Sequence, residues 1–260
     1  MTRVALLQID VSPVESPEQR TQRVLSLIRA QADLCDVVCL PELWTTGAFS
    51  NTLLTDSAIG RDSEFVSNLG KAARDAKVWL HAGSFVEREG GNLFNTSVVF
   101  RPDGSIAGFY RKIHLFGFDT GEATLLTGGT DFVTVTATPL GTVGLTTCYD
   151  LRFPELFRAL VNQDVETFMV ASGWPESRRH HWEILLQARA IENQAWVIAC
   201  NSTGISGEVE LAGHSMVIDP QGQIVAQAGA NETVLYADVS MEEVDKWRSS
   251  FPALADQVLK

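Results

Sequence analysis

One mixed α/β domain spanning residues 1–260 is the fold class that this sequence predicts, on three observations. Apolar strand-like runs alternate with helix-like segments near both ends of the chain, the rhythm of partly parallel pairing. Three turn signals, Pro102-Asp103-Gly104, Pro139-Leu140-Gly141 and Pro220-Gln221-Gly222, each separate two short strand-like runs and read as hairpins. No linker, internal repeat or low-complexity tract divides the chain.

The first apolar run, residues 4–11, reads as a buried strand. Ser16 then offers an N-cap, with Pro17 at the first helical position and Gln19 at the third; this capping-box pattern opens a helix to about residue 32. Residues 36–42 are a short strand in which Val37, Val38, Cys39 and Leu40 are all apolar, ending at Pro41-Glu42. An amphipathic helix at 64–76 precedes a strand at 77–86, repeating the theme. Residues 94–101 and 105–110 form the first hairpin. Residues 132–137 and 142–147 form the second, whose last strand runs straight into Cys148. A helix from about 153 to 161, a strand at 167–171, a helix at 178–193 and a strand at 196–201 restore the alternation. The third hairpin, 213–219 with 223–227, a last strand at 234–239 and a charged helical tail complete the chain.

A formal charge of −12 argues against nucleic acid, because binding a phosphate backbone draws on clustered Lys and Arg. The local pair Arg178-Arg179 reads as a solvated face. No apolar run approaches the ~20 residues that cross a bilayer, so no membrane span is expected. The opening run is broken by Gln8 and Asp10 and lacks a small-residue cleavage site, which favours a core strand over a leader. The four cysteines show no CxxC spacing, and a reducing cytoplasm is the expected setting. The expected partner is a small molecule.

Cys148 stands at an abrupt strand-to-helix junction, Thr146-Thr147-Cys148-Tyr149-Asp150, where free N–H groups and the positive end of a helix dipole favour thiolate. Lone cysteines are more often packed core thiols. That reading is kept for Cys35, at an apolar helix end, and for Cys39 and Cys200, inside apolar strands. Spacing selects none of the five histidines as the thiol's base. His81 lies within a strand, His214 near a strand start and His180-His181 at a helix start, so a Cys–His pair stays open. There is no HExxH, and no metal site is expected.

Glu42, just beyond a fully apolar strand, is either a turn acid or a carboxylate that partial desolvation poises for proton transfer. Lys112 closes a strand; such a lysine is usually a surface charge, but buried beside a nucleophile it is a cation aimed at an oxyanion. In the loop from Ser172 to Ser177, Trp174 is a candidate apolar pocket wall or ordinary loop packing. Arg152 is read as pairing with nearby acids such as Glu155 in preference to gripping a substrate carboxylate.

Three blocks tie these residues together: Leu40-Pro41-Glu42, Tyr110-Arg111-Lys112-Ile113-His114-Leu115-Phe116 and Cys148-Tyr149-Asp150-Leu151-Arg152-Phe153-Pro154-Glu155. With Val4-Ala5-Leu6-Leu7-Gln8 and Gln187-Ala188-Arg189-Ala190-Ile191-Glu192-Asn193-Gln194, they resemble the nitrilase superfamily of carbon–nitrogen hydrolases, in its amidase-like branch. The resemblance implies an α-β-β-α sandwich, commonly paired into dimers or higher homo-oligomers, with no metal or organic cofactor. It implies Cys148 as nucleophile, Glu42 as general base and then acid, and Lys112 with the Tyr149 N–H as oxyanion holders. Glu122 fits the place of the family's second glutamate.

The Cys148-to-Glu155 block looks most like ω-amidases and related small-amide hydrolases. Nitrile hydrolysis is disfavoured, since true nitrilases usually show Trp then Glu where this chain has Tyr149 and Asp150. The expected reaction is hydrolysis of small aliphatic amides or ω-amides to acid and ammonia through a thioester. Hydrolysis of N-carbamoyl compounds is the alternative within the superfamily. A non-catalytic binding protein that retains the fold is the alternative of another class.

Overall fold

The computed structural model describes residues 1–117 and 121–258. β1 (Thr2–Gln8) leads to α1 (Pro17–Arg29), whose start is set by the capping box. Ser16 Oγ accepts from the Gln19 N–H, and the Gln19 side chain accepts from the Ser16 N–H. The helix stops at Arg29, short of residue 32, so Cys35 lies in the loop beyond it. β2 is only Val37–Cys39, shorter than the strand expected over 36–42. Pro41 brings no N–H to a ladder, and Leu43 at φ +43° turns the chain away.

α2 (Asn51–Asp56), which no pattern marks, is followed by α3 (Glu64–Ala76), β3 (Trp79–Glu89), β4 (Asn92–Phe100) and β5 (Ile106–Arg111). β3 and β4 form a hairpin not expected from the sequence. Gly90 and Gly91, at φ +55° and +87°, supply the two left-handed positions that a two-residue turn needs. Next come α4 (Glu122–Leu125), β6 (Thr134–Thr138), β7 (Gly141–Thr147), a 3-10 turn (Cys148–Arg152), α5 (Pro154–Val161), β8 (Thr167–Ser172), α6 (Arg179–Asn193) and β9 (Trp196–Asn201). A second unforeseen hairpin pairs β10 (Thr203–Ser206) with β11 (Val209–Ala212). β12 (Met216–Ile218), β13 (Ile224–Gln227), β14 (Thr233–Val239) and α7 (Glu242–Ser250) complete the order.

Two six-stranded mixed sheets result, ordered β14-β1-β2-β3-β4-β5 and β13-β12-β9-β8-β7-β6. The central pairs β1/β2, β2/β3, β7/β8 and β8/β9 are parallel, as the strand–helix–strand rhythm requires. Side-chain alternation then separates the layers. In β1, Ala5 and Leu7 face Val24, Ile28 and Leu69 of the helices, whereas Val4 and Leu6 join Leu145, Ile198 and Val217 between the sheets. Phe168 and Val197 face Phe157 and Leu186 on the other side. The layers are helix, sheet, sheet, helix, the α-β-β-α sandwich. The carboxyl ends of parallel strands β2, β7 and β8 open on one cavity, the usual place for a ligand site in such sheets.

Candidate active site

Glu42 reaches the cavity floor because β3 makes room for the chain that carries it. Gly83, at φ +64°, sits where the β3–β4 register shifts between His81 and Ser84, and a Cβ there would lie 1.9 Å from the Pro41 carbonyl oxygen. The turn beyond is pinned by the Leu43 N–H on Ser84 Oγ (3.1 Å) and by Trp44 Nε1 on the Ala82 carbonyl (3.0 Å). Glu42, Lys112 and Glu122 are all buried. Lys112 Nζ donates to Glu42 Oε1 and to Glu122 Oε2, each at 2.7 Å.

Asn95 of β4 ties the same two carboxylates together, its Nδ2 donating to Glu42 Oε1 at 2.8 Å and Glu122 Oε1 at 2.7 Å. The remaining contacts are main-chain: the Gly173 N–H donates to Glu42 Oε2 and the Phe116 N–H to Glu122 Oε2, both at 2.9 Å. Every partner of both carboxylates is therefore a donor, which is how buried acids are satisfied. Burial works against the Lys112 charge, but Glu122 and Glu42 outweigh it and hold Lys112 well above the ordinary lysine value. Burial pushes the Glu122 carboxyl up; Lys112 opposes this, and the neighbouring Glu42 adds to it.

Cys148 adopts φ +48° where β7 gives way to the 3-10 turn, a left-handed conformation uncommon for a residue with a Cβ. The thiolate expected from a helix start is not what the fold favours. Burial pushes the thiol pKa up and Glu42 adds to that, against Lys112 and the Ser172 hydroxyl, so the resting sulfur is protonated. The α-helix begins only at Pro154, and its dipole does not offset burial. The charged neighbours that move the thiol's pKa are Glu42 and Lys112, so the open Cys–His pairing is not the one built. His114 is engaged elsewhere, on Asp150.

That buried aspartate joins the Lys112 segment to the Cys148 turn. Asp150 Oδ2 accepts from Tyr110 OH (2.6 Å) and the Thr147 N–H (2.9 Å), and Oδ1 takes the His114 N–H (3.0 Å) and lies 2.8 Å from His114 Nδ1. The cavity holds about 750 Å³, and Glu42, Lys112, Glu122, Cys148, Tyr149 and Trp174 all line it. Trp174 is a wall and also a packed residue, its ring tilted by 40° against Trp182 with Nε1 on the Arg178 carbonyl.

Two arginines at this cavity depart from expectation. Arg152 does not pair with Glu155; its guanidinium lies 4.8 Å from the Trp174 ring centre, while the break at Phe153 sends Glu155 to solvent. Arg178 is half-buried at the cavity, 5.2 Å from the Phe116 ring centre, and not on a solvated face. Only Arg179 behaves as a surface charge, paired with Glu176 at 3.2 Å. Among the described residues, neither Arg152 nor Arg178 has a carboxylate within ion-pair distance. Sequence reasoning missed Asn95, Asp150 and Arg178, and also the β10–β11 tip, Gly207 to Val209, that closes one side. Of these, Asp150 had a local signal, since it lies in the Cys148 block.

The carbon-nitrogen hydrolase family model matches residues 3–249. A 2-oxoglutaramate amidase of Paenarthrobacter nicotinovorans is 42% identical over 263 residues, covering 98% of this chain and 88% of that protein. An omega-amidase of Mus musculus is 34% identical over 261 residues, covering 97% and 93%. The fold is similar to that of a CN-hydrolase superfamily protein of Xanthomonas campestris, solved with an arsenic adduct in its active site. The TM-score is 0.91 at 30% identity, over 100% of this chain and 98% of that one.

Proposed function

The chain belongs to the carbon-nitrogen hydrolase family, and from that premise we propose that it is an amidase releasing ammonia from the terminal amide of a small carboxylic acid, with Cys148 as nucleophile. One observation carries the reading: a buried Lys112 lies 2.7 Å from both Glu42 and Glu122 on the floor of the cavity that Cys148 also lines.

A protonated thiol needs a base, and Glu42 takes its proton as the sulfur attacks the amide carbonyl. Lys112 commits two of its three donors to the carboxylates, leaving one for the oxyanion, which the Tyr149 N–H holds from the other side. Collapse of the tetrahedral adduct expels the nitrogen. Glu42 returns the proton, ammonia leaves, and the acyl group remains on Cys148 as a thioester. Water, deprotonated by Glu42 and oriented with Glu122, then releases the acid and restores the thiol. No metal or organic cofactor enters this scheme.

Arg152 and Arg178, at a cavity walled by Trp174 and Phe116, supply positive charge without acidic partners among the described residues. Such a pocket suits an ω-amide whose far end is a carboxylate, and the relatives at 42% and 34% identity are a 2-oxoglutaramate amidase and an omega-amidase. The test is ammonia release from 2-oxoglutaramate, unsubstituted aliphatic amides, N-carbamoyl amino acids and nitriles. Turnover of the ω-amide is expected, with Cys148→Ala slower by about 10³-fold or more while still folded. Undiminished turnover by that variant removes Cys148 from the mechanism. Carbon dioxide appearing with ammonia moves the assignment to N-carbamoyl hydrolysis.

The chain is further read as a cytoplasmic homodimer or higher homo-oligomer. Its four cysteines are free thiols, and no helix among the described residues is long and apolar enough to cross a membrane. On the outer side of α6, Ile184 and Ile191 are 50% and 54% exposed, apolar surface suited to a second copy. Sedimentation velocity should show a dimer that an aspartate at either isoleucine weakens; a monomer at all concentrations rejects the assembly.

A further inference from the structure

Ser172 is the last residue of β8. Its neighbour Ala171 pairs with Thr147 in the parallel β7–β8 ladder, which sets Ser172 beside Cys148 where both strands end. It is fully buried and is not among the residues lining the cavity, so it lies beneath the floor, where substrate does not reach. Its carbonyl is well used, accepting from the N–H groups of Glu42 (3.3 Å) and Ser202 (3.0 Å). Its hydroxyl makes no hydrogen bond of good geometry in the resting protein, yet it stands near enough to the Cys148 sulfur to lower the thiol. A buried hydroxyl left unpaired disfavours folding, and alanine would occupy the place without that cost. Such a group calls for a role outside the resting state.

We propose that the Ser172 hydroxyl is the donor that receives the Cys148 sulfur when its proton leaves. The S–H bond breaks, the proton passes to Glu42, and the electron pair stays on sulfur. The hydroxyl rotates to donate to that pair. When the C–S bond forms the pair is consumed and the hydroxyl is released, so Ser172 favours the thiolate over both the resting thiol and the thioester. It therefore assists attack in acylation and, because hydrolysis of the thioester returns the electron pair to sulfur, also assists departure of the thiolate in deacylation. The electrostatics agree: burial and Glu42 raise the thiol, while Lys112 and the Ser172 hydroxyl lower it. The charged groups acting on the sulfur are Glu42 after β2 and Lys112 after β5, with Glu122 behind Lys112; Arg152, on the same turn, feels the sulfur's charge in its own right. Ser172 adds an uncharged donor from β8.

The inference rests on Cys148 being the reactive thiol, and the experiment separates the two. Iodoacetamide alkylation of the intact protein is followed across pH, locating the label by peptide mass spectrometry, in wild type and Ser172→Ala. The expected result is alkylation of Cys148 with its inflection moved up by about one pH unit in the variant, a roughly tenfold slower reaction below the inflection. The variant's Tm should equal or exceed the wild type's, and its acylation burst should slow. Identical pH profiles overturn the proposal, as does a lowered Tm, which would make the hydroxyl a structural group. Labelling of wild type at other cysteines and not at Cys148 overturns the nucleophile assignment itself.

Discussion

Lys112 and His81 are both buried and meet burial in opposite ways. Lys112 keeps its charge because two carboxylates lie at 2.7 Å. His81 sits between the sheets among Val99, Val143 and Met169, its Nε2 has no partner, and burial lowers its pKa from 6.5 to about 4. The folded state thus binds fewer protons than the unfolded chain between those values. The contribution is fully present above about pH 6.5, is lost progressively as pH falls toward 4, and levels off below. Between pH 7.5 and 5.0 the loss is about 2 kcal/mol. Urea unfolding at the two pH values should show that loss in wild type and not in His81→Leu. Parallel losses in the two proteins would show that His81 is not neutral in the fold. Burial therefore makes the stability of the fold depend on pH through His81, and strand position alone does not reveal it.

At the level of elements, the geometry of the candidate site depends on how strands end and cross. The predicted strand over 36–42 runs too long because apolar content persists through Leu40, whereas pairing stops at Cys39. The segment that carries Glu42 beyond that strand end is held by β3, and by Gly83 above all. Gly83→Ala would put a methyl 1.9 Å from the Pro41 carbonyl oxygen at φ +64°. It should cost about 3 kcal/mol or more of stability, or displace Glu42 and lower kcat by about 10²-fold. Gly90, at φ +55° with nothing near its missing Cβ, is the control: alanine there should cost about 1 kcal/mol and spare activity. Equal effects at the two positions, by chemical denaturation and ammonia assay, would reject the crossing argument. Asp150 plays the corresponding part for β7, bracing the Cys148 turn against the segment after β5.

For the molecule as a whole, two sheets of one fold face each other across a shared apolar layer, and each contributes to one site. Glu42, Asn95 and Lys112 come from the first sheet or its strand ends, Cys148 and Ser172 from the second. The sandwich is thus the device that presents a carboxylate–lysine pair to a thiol. Most helices and the parallel core strands are legible in the sequence, because 3.6-residue and 2-residue apolar periods and the Ser16 cap are local signals. The Gly90-Gly91 pair is an equally local turn signal, but it lies in the charged stretch beyond the apolar part of β3, where a strand pattern fades. The β10–β11 hairpin and α2 are short and polar-rich, with little periodicity to detect.

The amino-acid sequence by itself determined the succession of strands and helices and the three blocks that carry Glu42, Lys112 and Cys148, because turn chemistry, capping and apolar period act over a few residues. Only the tertiary structure decided that the thiol rests protonated, that Asn95 bridges both carboxylates, and that Arg152 and Arg178 stand at the cavity without acidic partners among the described residues. Protonation and partner choice are set by burial and by groups far apart in the chain: 53 residues separate Asn95 from Glu42 and 70 separate Lys112 from Glu42. A local window cannot contain those contacts, and the two packed sheets create them.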